Sequence, residues 1–92
     1  MNLEFTNKNN AWEAEFTASA DFNLHVEGLP EGDVRVFQSS VEGAGYAEVR
    51  GAMVYPSFGT VYDFDFSAVL YPKYIKVVCK SQPTLAVVTI AE

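Results

Sequence analysis

The chain has 92 residues, enough for one domain and too few for two. Apolar residues make up 49% of the sequence and aromatic residues 14%, a composition that excludes an intrinsically disordered segment. The formal net charge of −6 argues against nucleic-acid binding, which depends on a basic surface that neutralises phosphates.

The start of the chain, Met1–Thr6, lacks both the basic stretch and the apolar run of a signal peptide. No later apolar stretch approaches the roughly 18 residues that a membrane span requires. We therefore expect the chain to fold in a cytoplasm and to remain outside membranes.

Apolar and polar residues alternate along most of the chain, which indicates β-strands that bury one face. Trp12, Ala14 and Phe16 alternate with polar residues, and the same pattern marks Phe22–Glu27 and Val61–Phe66. The predicted strands span about residues 2–7, 11–18, 21–28, 34–40, 46–54, 60–70, 73–80 and 84–91.

Asn, Gly and Pro residues interrupt these runs and predict the turns between the strands. The turn segments are Lys8–Asn10, Leu29–Asp33, Glu42–Gly45, Tyr55–Gly59, Tyr71–Pro72 and Gln82–Pro83. About seven to eight short strands, spaced about ten residues apart, predict one antiparallel β-sandwich domain over residues 1–92, immunoglobulin-like or jelly-roll-like.

Consecutive strands can be paired so that apolar residues face apolar ones and opposite charges meet, which stabilises a sheet. This criterion predicts hairpins between the second and third strands and between the third and fourth. The predicted pairs are Phe16 with Phe22, Trp12 with Val26, Glu13 with His25, Val26 with Val36 and Glu27 with Arg35.

The last predicted strand, Thr84–Ala91, is apolar on both faces. Such a strand either lies centrally in a sandwich or forms an edge that a partner covers. We favour the central position.

Charge is distributed unevenly along the sequence. Residues 1–66 carry eleven acidic and three basic residues, a formal charge of −8, whereas residues 67–92 carry +2. Opposite ends of the chain could therefore attract each other when copies meet head to tail.

The sequence contains no recognisable catalytic, cofactor-binding or metal-binding set. His25 is the only histidine and Cys79 the only cysteine, so a structural zinc site would lack ligands and an internal disulfide is impossible. We expect Cys79 to pack as a small apolar residue. No serine lies in a Gly-x-Ser-x-Gly turn, and no phosphate-binding glycine motif is present.

Two pairs of carboxylates, Asp63 with Asp65 and Glu13 with Glu15, each share one face of a strand. Paired carboxylates can hold calcium or perform acid–base chemistry. Alternating acidic residues more commonly form a solvated face that discourages edge pairing, and we favour that interpretation.

Aromatic residues at or beside the turns are the strongest candidates for contact with a partner, because aromatic side chains are enriched in interfaces. The alternative is that they cap the ends of the core. With two lysines of the seventh strand, the candidate interface residues are Tyr46, Tyr55, Phe58, Tyr71, Lys73, Tyr74 and Lys76.

Several segments together resemble small virion proteins of crAss-like tailed phages that infect gut Bacteroidales. The segments are Trp12–Phe16, Asp21–Glu27, Val36–Gln38, Asp63–Phe66 and Tyr71–Lys76, and the resemblance covers about two-thirds of the chain. It implies an auxiliary, or decoration, protein of the capsid or a small head-fibre component, and it carries no catalytic residues over to this chain.

The expected function is therefore that of a structural virion protein, assembled in the host cytoplasm, that binds the major capsid protein and reinforces the phage head. Other virion proteins or further copies of the chain are possible partners. The alternative is a carbohydrate-binding module, or a head-fibre or tail accessory module, that recognises a host glycan through exposed aromatic residues. An enzyme is disfavoured because no nucleophile–base pair is apparent.

Overall fold

The computed structural model describes residues 1–28, 34–49, 61–67 and 70–91. These residues form eight strands and no helix. The strands are β1 (Thr6–Lys8), β2 (Ala11–Ala18), β3 (Phe22–Glu27), β4 (Val34–Ser39), β5 (Ala47–Glu48), β6 (Val61–Phe66), β7 (Lys73–Cys79) and β8 (Leu85–Ile90). They build two antiparallel sheets packed together, which confirms the predicted all-β sandwich.

The strand bounds agree closely with those predicted from the alternation of apolar residues. β2 has the predicted bounds, and β3, β4, β7 and β8 each begin and end within one residue of the prediction. The turn predicted at Lys8–Asn10 is also present: β1 and β2 are joined by Asn9 and Asn10, whose φ angles are 52° and 66°. Two-residue hairpin loops favour such positive φ values, and Asn adopts them more readily than most residues.

The order of strands differs from the predicted one. One sheet has the order β1-β2-β7-β4-β5 and the other the order β6-β3-β8. The predicted β2–β3 and β3–β4 hairpins are therefore wrong, because β3 lies in the opposite sheet from β2 and β4. Alternation decides which residues face the core, but it does not decide which strand lies alongside.

Phe16 and Phe22 nevertheless contact each other, across the interior rather than within a sheet. Their ring centroids are 5.2 Å apart and the ring planes are at 89°, an edge-to-face arrangement. In its own sheet Phe16 lies opposite Ile75 of β7, and Phe22 lies opposite Phe66 of β6 and Ile90 of β8. The two phenylalanines thus join the two sheets near the end where β2 passes into β3.

The charged partners predicted from hairpin pairing are also different. The Glu13 carboxylate lies 4.0 Å from the Lys76 ammonium rather than beside His25. Arg35 Nε lies 3.9 Å from Glu48 Oε2 rather than beside the predicted Glu27. Both observed pairs join strands of the five-stranded sheet, so each corrected contact follows from the corrected strand order.

β8 is an outer strand of the three-stranded sheet, so its predicted central position is wrong. The first residues of the chain cover its outer edge: Asn2 forms a bridge with Val87, and the Leu3 N–H donates to the Ala86 carbonyl at 2.9 Å. The chain then crosses to the other sheet, where β1 pairs with β2. The segment predicted as one strand over 2–7 is therefore divided between the two sheets.

The core lies between the sheets and consists mainly of the inward residues of β2, β3, β4, β7 and β8. Cys79 is fully buried in this cluster, which confirms its predicted role as a small apolar residue. Among the described residues, Tyr62 is the largest fully buried side chain, and burial raises the pKa of its hydroxyl well above the usual value. Phe64, which the alternation places on the buried face, is 36% exposed because β6 is an outer strand.

Charge is divided between the two sheets. The strands of the three-stranded sheet contain Glu27, Asp63 and Asp65 but no lysine or arginine. All four basic residues that lie within described strands belong to the five-stranded sheet. The strands of the three-stranded sheet are therefore acidic, whereas those of the five-stranded sheet carry both acidic and basic residues.

Candidate functional site

The outer face of the five-stranded sheet brings together three of the candidate interface residues. Lys76 lies near the middle of this face, opposite Glu15 of β2 on one side and Phe37 of β4 on the other. Tyr74 lies two residues earlier on β7 and therefore points to the same face. Tyr46, in the segment between β4 and β5, lies above them.

Tyr46 is held on the sheet by two contacts. The Lys76 ammonium lies 4.6 Å from the centroid of its ring, within the range of a cation–π interaction. Its hydroxyl donates a hydrogen bond of 2.9 Å to Glu15 Oε1. Partial burial, together with this carboxylate, raises the pKa of the Tyr46 hydroxyl. The ring therefore occupies a defined position although it is attached to a connecting segment.

An open groove of about 490 Å³ lies between this face and the segment after β4. We call it the tyrosine groove; it is lined by Glu15, Phe16, Thr17, Glu42, Gly43, Ala44, Tyr46 and Tyr74. Its volume is within the range of about 300–1,000 Å³ that is typical of ligand sites. Desolvation and the neighbouring Glu42 carboxylate raise the pKa of Tyr74.

The remaining candidate residues have different positions. The Lys73 ammonium donates a 2.6 Å hydrogen bond to Ser40 Oγ, close in sequence to the segment that borders the groove. The Tyr71 hydroxyl donates a hydrogen bond to Asp21. Lys73 and Tyr71 both lie outside the lining of the tyrosine groove. Tyr55 and Phe58 lie outside the described residues. Tyr46, Tyr74 and Lys76 are therefore the candidates that the fold brings together.

Sequence reasoning missed two acidic residues of the groove, Glu15 and Glu42. The alternation of β2 correctly placed Glu15 on an outer face, but the neighbouring strand was misassigned, so its position beside Lys76 and Tyr46 could not be inferred. Glu42 was recognised only as part of a turn. The local sequence marks each as an acidic residue, but only the strand order brings the two into one groove.

The outer face of the three-stranded sheet carries a second polar group of side chains. His25 contacts two carboxylates, with Nδ1 2.7 Å from Asp63 Oδ2 and Nε2 2.6 Å from Glu27 Oε2. Asn23 donates to Asp63 Oδ1 at 2.6 Å and to Asp65 Oδ1 at 2.9 Å. His25, Glu27, Asn23, Asp63 and Asp65 therefore form a continuous hydrogen-bonded network, in which Asn23 bridges the two aspartates.

These contacts shift the acid–base equilibria of the network. The pKa of His25 is raised above its usual value; the hydrogen bond with Glu27 is the larger cause and the hydrogen bond with Asp63 the next. The pKa of Asp63 is lowered; the hydrogen bond from Asn23 is the larger cause and the hydrogen bond with His25 the next. Among the described residues, no group of three or more His, Cys, Asp or Glu side chains is arranged to hold a metal ion.

Comparison with known proteins adds no relative: the chain matches no family model, no curated protein and no solved structure. Within the described ranges, no helical segment has the length and apolarity needed to cross a membrane.

Proposed function

We propose that this chain is a non-enzymatic structural protein of a virion, an auxiliary capsid protein that binds the major capsid protein and reinforces the head. The observation that carries the proposal is the grouping of Tyr46, Tyr74 and Lys76 on the outer face of the five-stranded sheet. This face is the proposed contact surface.

The chemistry of the face suits binding to another protein. Tyrosines present large, fairly rigid surfaces with a polar end, so they bind a partner at low conformational-entropy cost. Tyr46 is already ordered by Lys76 and Glu15, which lowers this cost further. Phe37 and Val78 of the same face are half-buried and add apolar area beside the charged residues.

The resemblance of five segments of the chain to small phage virion proteins supports the particular class of partner. Two of these segments, Val36–Gln38 and Tyr71–Lys76, contribute residues to the five-stranded sheet and its outer face. An auxiliary capsid protein occupies many symmetry-related positions, so even a contact of modest area can reinforce a shell.

Quantitative mass spectrometry of density-purified particles from the source culture tests this function. We expect peptides of this chain at a fixed, high molar ratio to the major capsid protein. A few copies per particle would indicate a tail or fibre component instead. Absence from the particles would contradict the proposal.

Recognition of a host glycan is a second candidate function, favoured by the tyrosine groove. Tyr46 and Tyr74 could stack on sugar rings, and Glu15 and Glu42 could accept hydrogen bonds from sugar hydroxyls. A glycan array probed with the purified protein tests this candidate. Binding that is lost in Tyr74→Ala would favour it over the capsid function, whereas an array without hits would exclude the glycans tested.

A further inference from the structure

We propose that the tyrosine groove receives a lysine or arginine side chain of the partner protein. The inference rests on the proposed function, because it names the chemistry of the residue by which a capsid-type partner is anchored. It follows from the charges, aromatic surfaces and shape of the groove.

The groove combines the two kinds of group that bind an organic cation. Glu15 and Glu42 supply carboxylates, and Tyr46 and Tyr74 supply aromatic rings. Aromatic faces attract ammonium and guanidinium groups through the ring quadrupole, and carboxylates accept their hydrogen bonds. The eight lining residues include no lysine, arginine or histidine; the positive charge beside the lining is the Lys76 ammonium, which lies over the Tyr46 ring.

Lys76, a basic side chain beside the groove, shows that an aromatic ring of the lining binds an ammonium group. Lys76 already places its ammonium 4.6 Å from the Tyr46 centroid. Its charge is also opposed by Glu13, whose carboxylate lies 4.0 Å away. Glu13 is not part of the groove lining, so the carboxylates of Glu15 and Glu42 remain to neutralise a second cation.

The shape of the groove favours a side chain carried by a larger molecule. The groove is open, and Glu42 and the neighbouring Gly43 and Ala44 are exposed. A long basic side chain can enter from this open side while its backbone stays at the partner surface. Glu42 would then meet the charged group near the entrance and Glu15 would meet it on the sheet.

The first test uses the isolated protein and small probes. We expect N-acetyl-lysine amide and N-acetyl-arginine amide to shift the NMR signals of Tyr46 and Tyr74, whereas the uncharged N-acetyl-norleucine amide leaves them unchanged. The double variant E15Q/E42Q should lose the response. Equal shifts with the norleucine probe, or an unaltered response in the double variant, would overturn the inference, as would a response only to monosaccharides.

The second test measures binding to particles from which this chain has been removed. E15Q/E42Q should bind about tenfold more weakly than the unaltered protein, because a desolvated charge partner is lost on each side of the cation. Asp65→Asn is the matched control: it neutralises an exposed acidic residue of the opposite, three-stranded sheet, outside both the groove and the proposed contact surface. Its binding should be unchanged.

The outcomes separate this inference from the proposed function. If the unaltered protein does not bind particles, the proposed function fails, and the anchoring inference that rests on it falls too, even if the probe titration shows that the groove binds cations. If particles bind E15Q/E42Q as tightly as the unaltered protein, the anchoring inference fails and the capsid function stands. Glu42→Gln alone, a change at an exposed turn residue, provides the same comparison if the double variant does not fold.

Discussion

His25 Nδ1 lies 2.7 Å from Asp63 Oδ2 on the adjacent strand of the three-stranded sheet. Because Glu27 and Asp63 raise the pKa of His25, the protonated imidazole stabilises the folded state below the unfolded pKa of about 6.5. This contribution is lost as the pH rises through the raised folded pKa. We therefore expect the free energy of unfolding to decrease on the alkaline side of pH 6.5.

Protonation of Asp63 lowers the free energy of unfolding on the acidic side of the pH profile. Its pKa is lowered by Asn23 and His25, so its contribution is present above the unfolded pKa of about 3.9 and is lost as the pH falls through the folded value. Urea unfolding followed by Trp12 fluorescence should give a stability maximum between about pH 4 and 6.5. His25→Gln should flatten the alkaline limb; an unchanged slope in this variant would contradict the assignment to His25.

Gly28 and Gly43 provide a matched pair for testing a close approach of two segments. Both have positive φ, 79° and 76°, but a Cβ at Gly28 would lie less than 3.0 Å from three side-chain atoms of Thr84, whereas Gly43 has open space. Gly43→Ala should cost about 1 kcal/mol from backbone strain alone, and Gly28→Ala about 2–4 kcal/mol from strain and overpacking. Chemical denaturation of both variants measures the difference. Equal losses would exclude the contact with Thr84 as a source of destabilisation.

Leu24 and Leu70 test the position of the core. Leu24 is fully buried between the sheets, whereas Leu70 is 64% exposed. Leu24→Ala should reduce the free energy of unfolding by about 2–5 kcal/mol through lost burial and a residual cavity, and Leu70→Ala should change it by less than about 0.5 kcal/mol. Thermal and urea unfolding measure both. Comparable losses in the two variants would be inconsistent with this core.

Cys79 reports on opening of the same core. It is the only cysteine and its side chain is fully buried, so a thiol reagent can reach it only when the structure opens. The rate at which a chromogenic disulfide labels the native protein should be about the labelling rate in urea multiplied by the equilibrium constant for unfolding, because only the open form reacts. Leu24→Ala should accelerate it. Immediate labelling of the native protein would show that Cys79 is accessible without unfolding.

The extent of sequence-based prediction can be judged from Phe16 and Glu13. Alternation alone placed Phe16 inside and Glu13 outside, and it located most strand ends within one residue. It could not identify β7 as the neighbour of β2, because β7 is about sixty residues away and other strands have equally suitable apolar faces. The wrong pairing of Glu13 with His25 follows from this ambiguity, and the wrong pairing of Glu27 with Arg35 follows from the same kind of ambiguity for β3 and β4.

The same reasoning explains which parts of the candidate site were accessible. The sequence marks Tyr74 as an aromatic residue beside a turn and Lys76 as a lysine of the seventh strand, and the structure shows that both lie on the same face of β7. Glu15 and Glu42 required knowledge of the strand order and of the path of the segment after β4. Long-range pairing, rather than local conformation, therefore limited the prediction of the groove.

Tyr46 and Lys76 should be energetically coupled, and a double-mutant cycle can measure that coupling. Because the ammonium lies 4.6 Å from the ring centroid at a partly exposed site, Tyr46→Leu and Lys76→Met should show an interaction energy of about 0.5–1 kcal/mol. Tyr46→Phe keeps the ring but removes the hydroxyl that donates to Glu15. Because Tyr and Phe both offer an aromatic face to the ammonium, a cycle of Tyr46→Phe with Lys76→Met should show little interaction energy. Urea denaturation of the single and double variants gives both values. Additive effects of Tyr46→Leu and Lys76→Met would show that the ring and the ammonium do not stabilise each other, and the preference of the groove for cations would lose one of its supports.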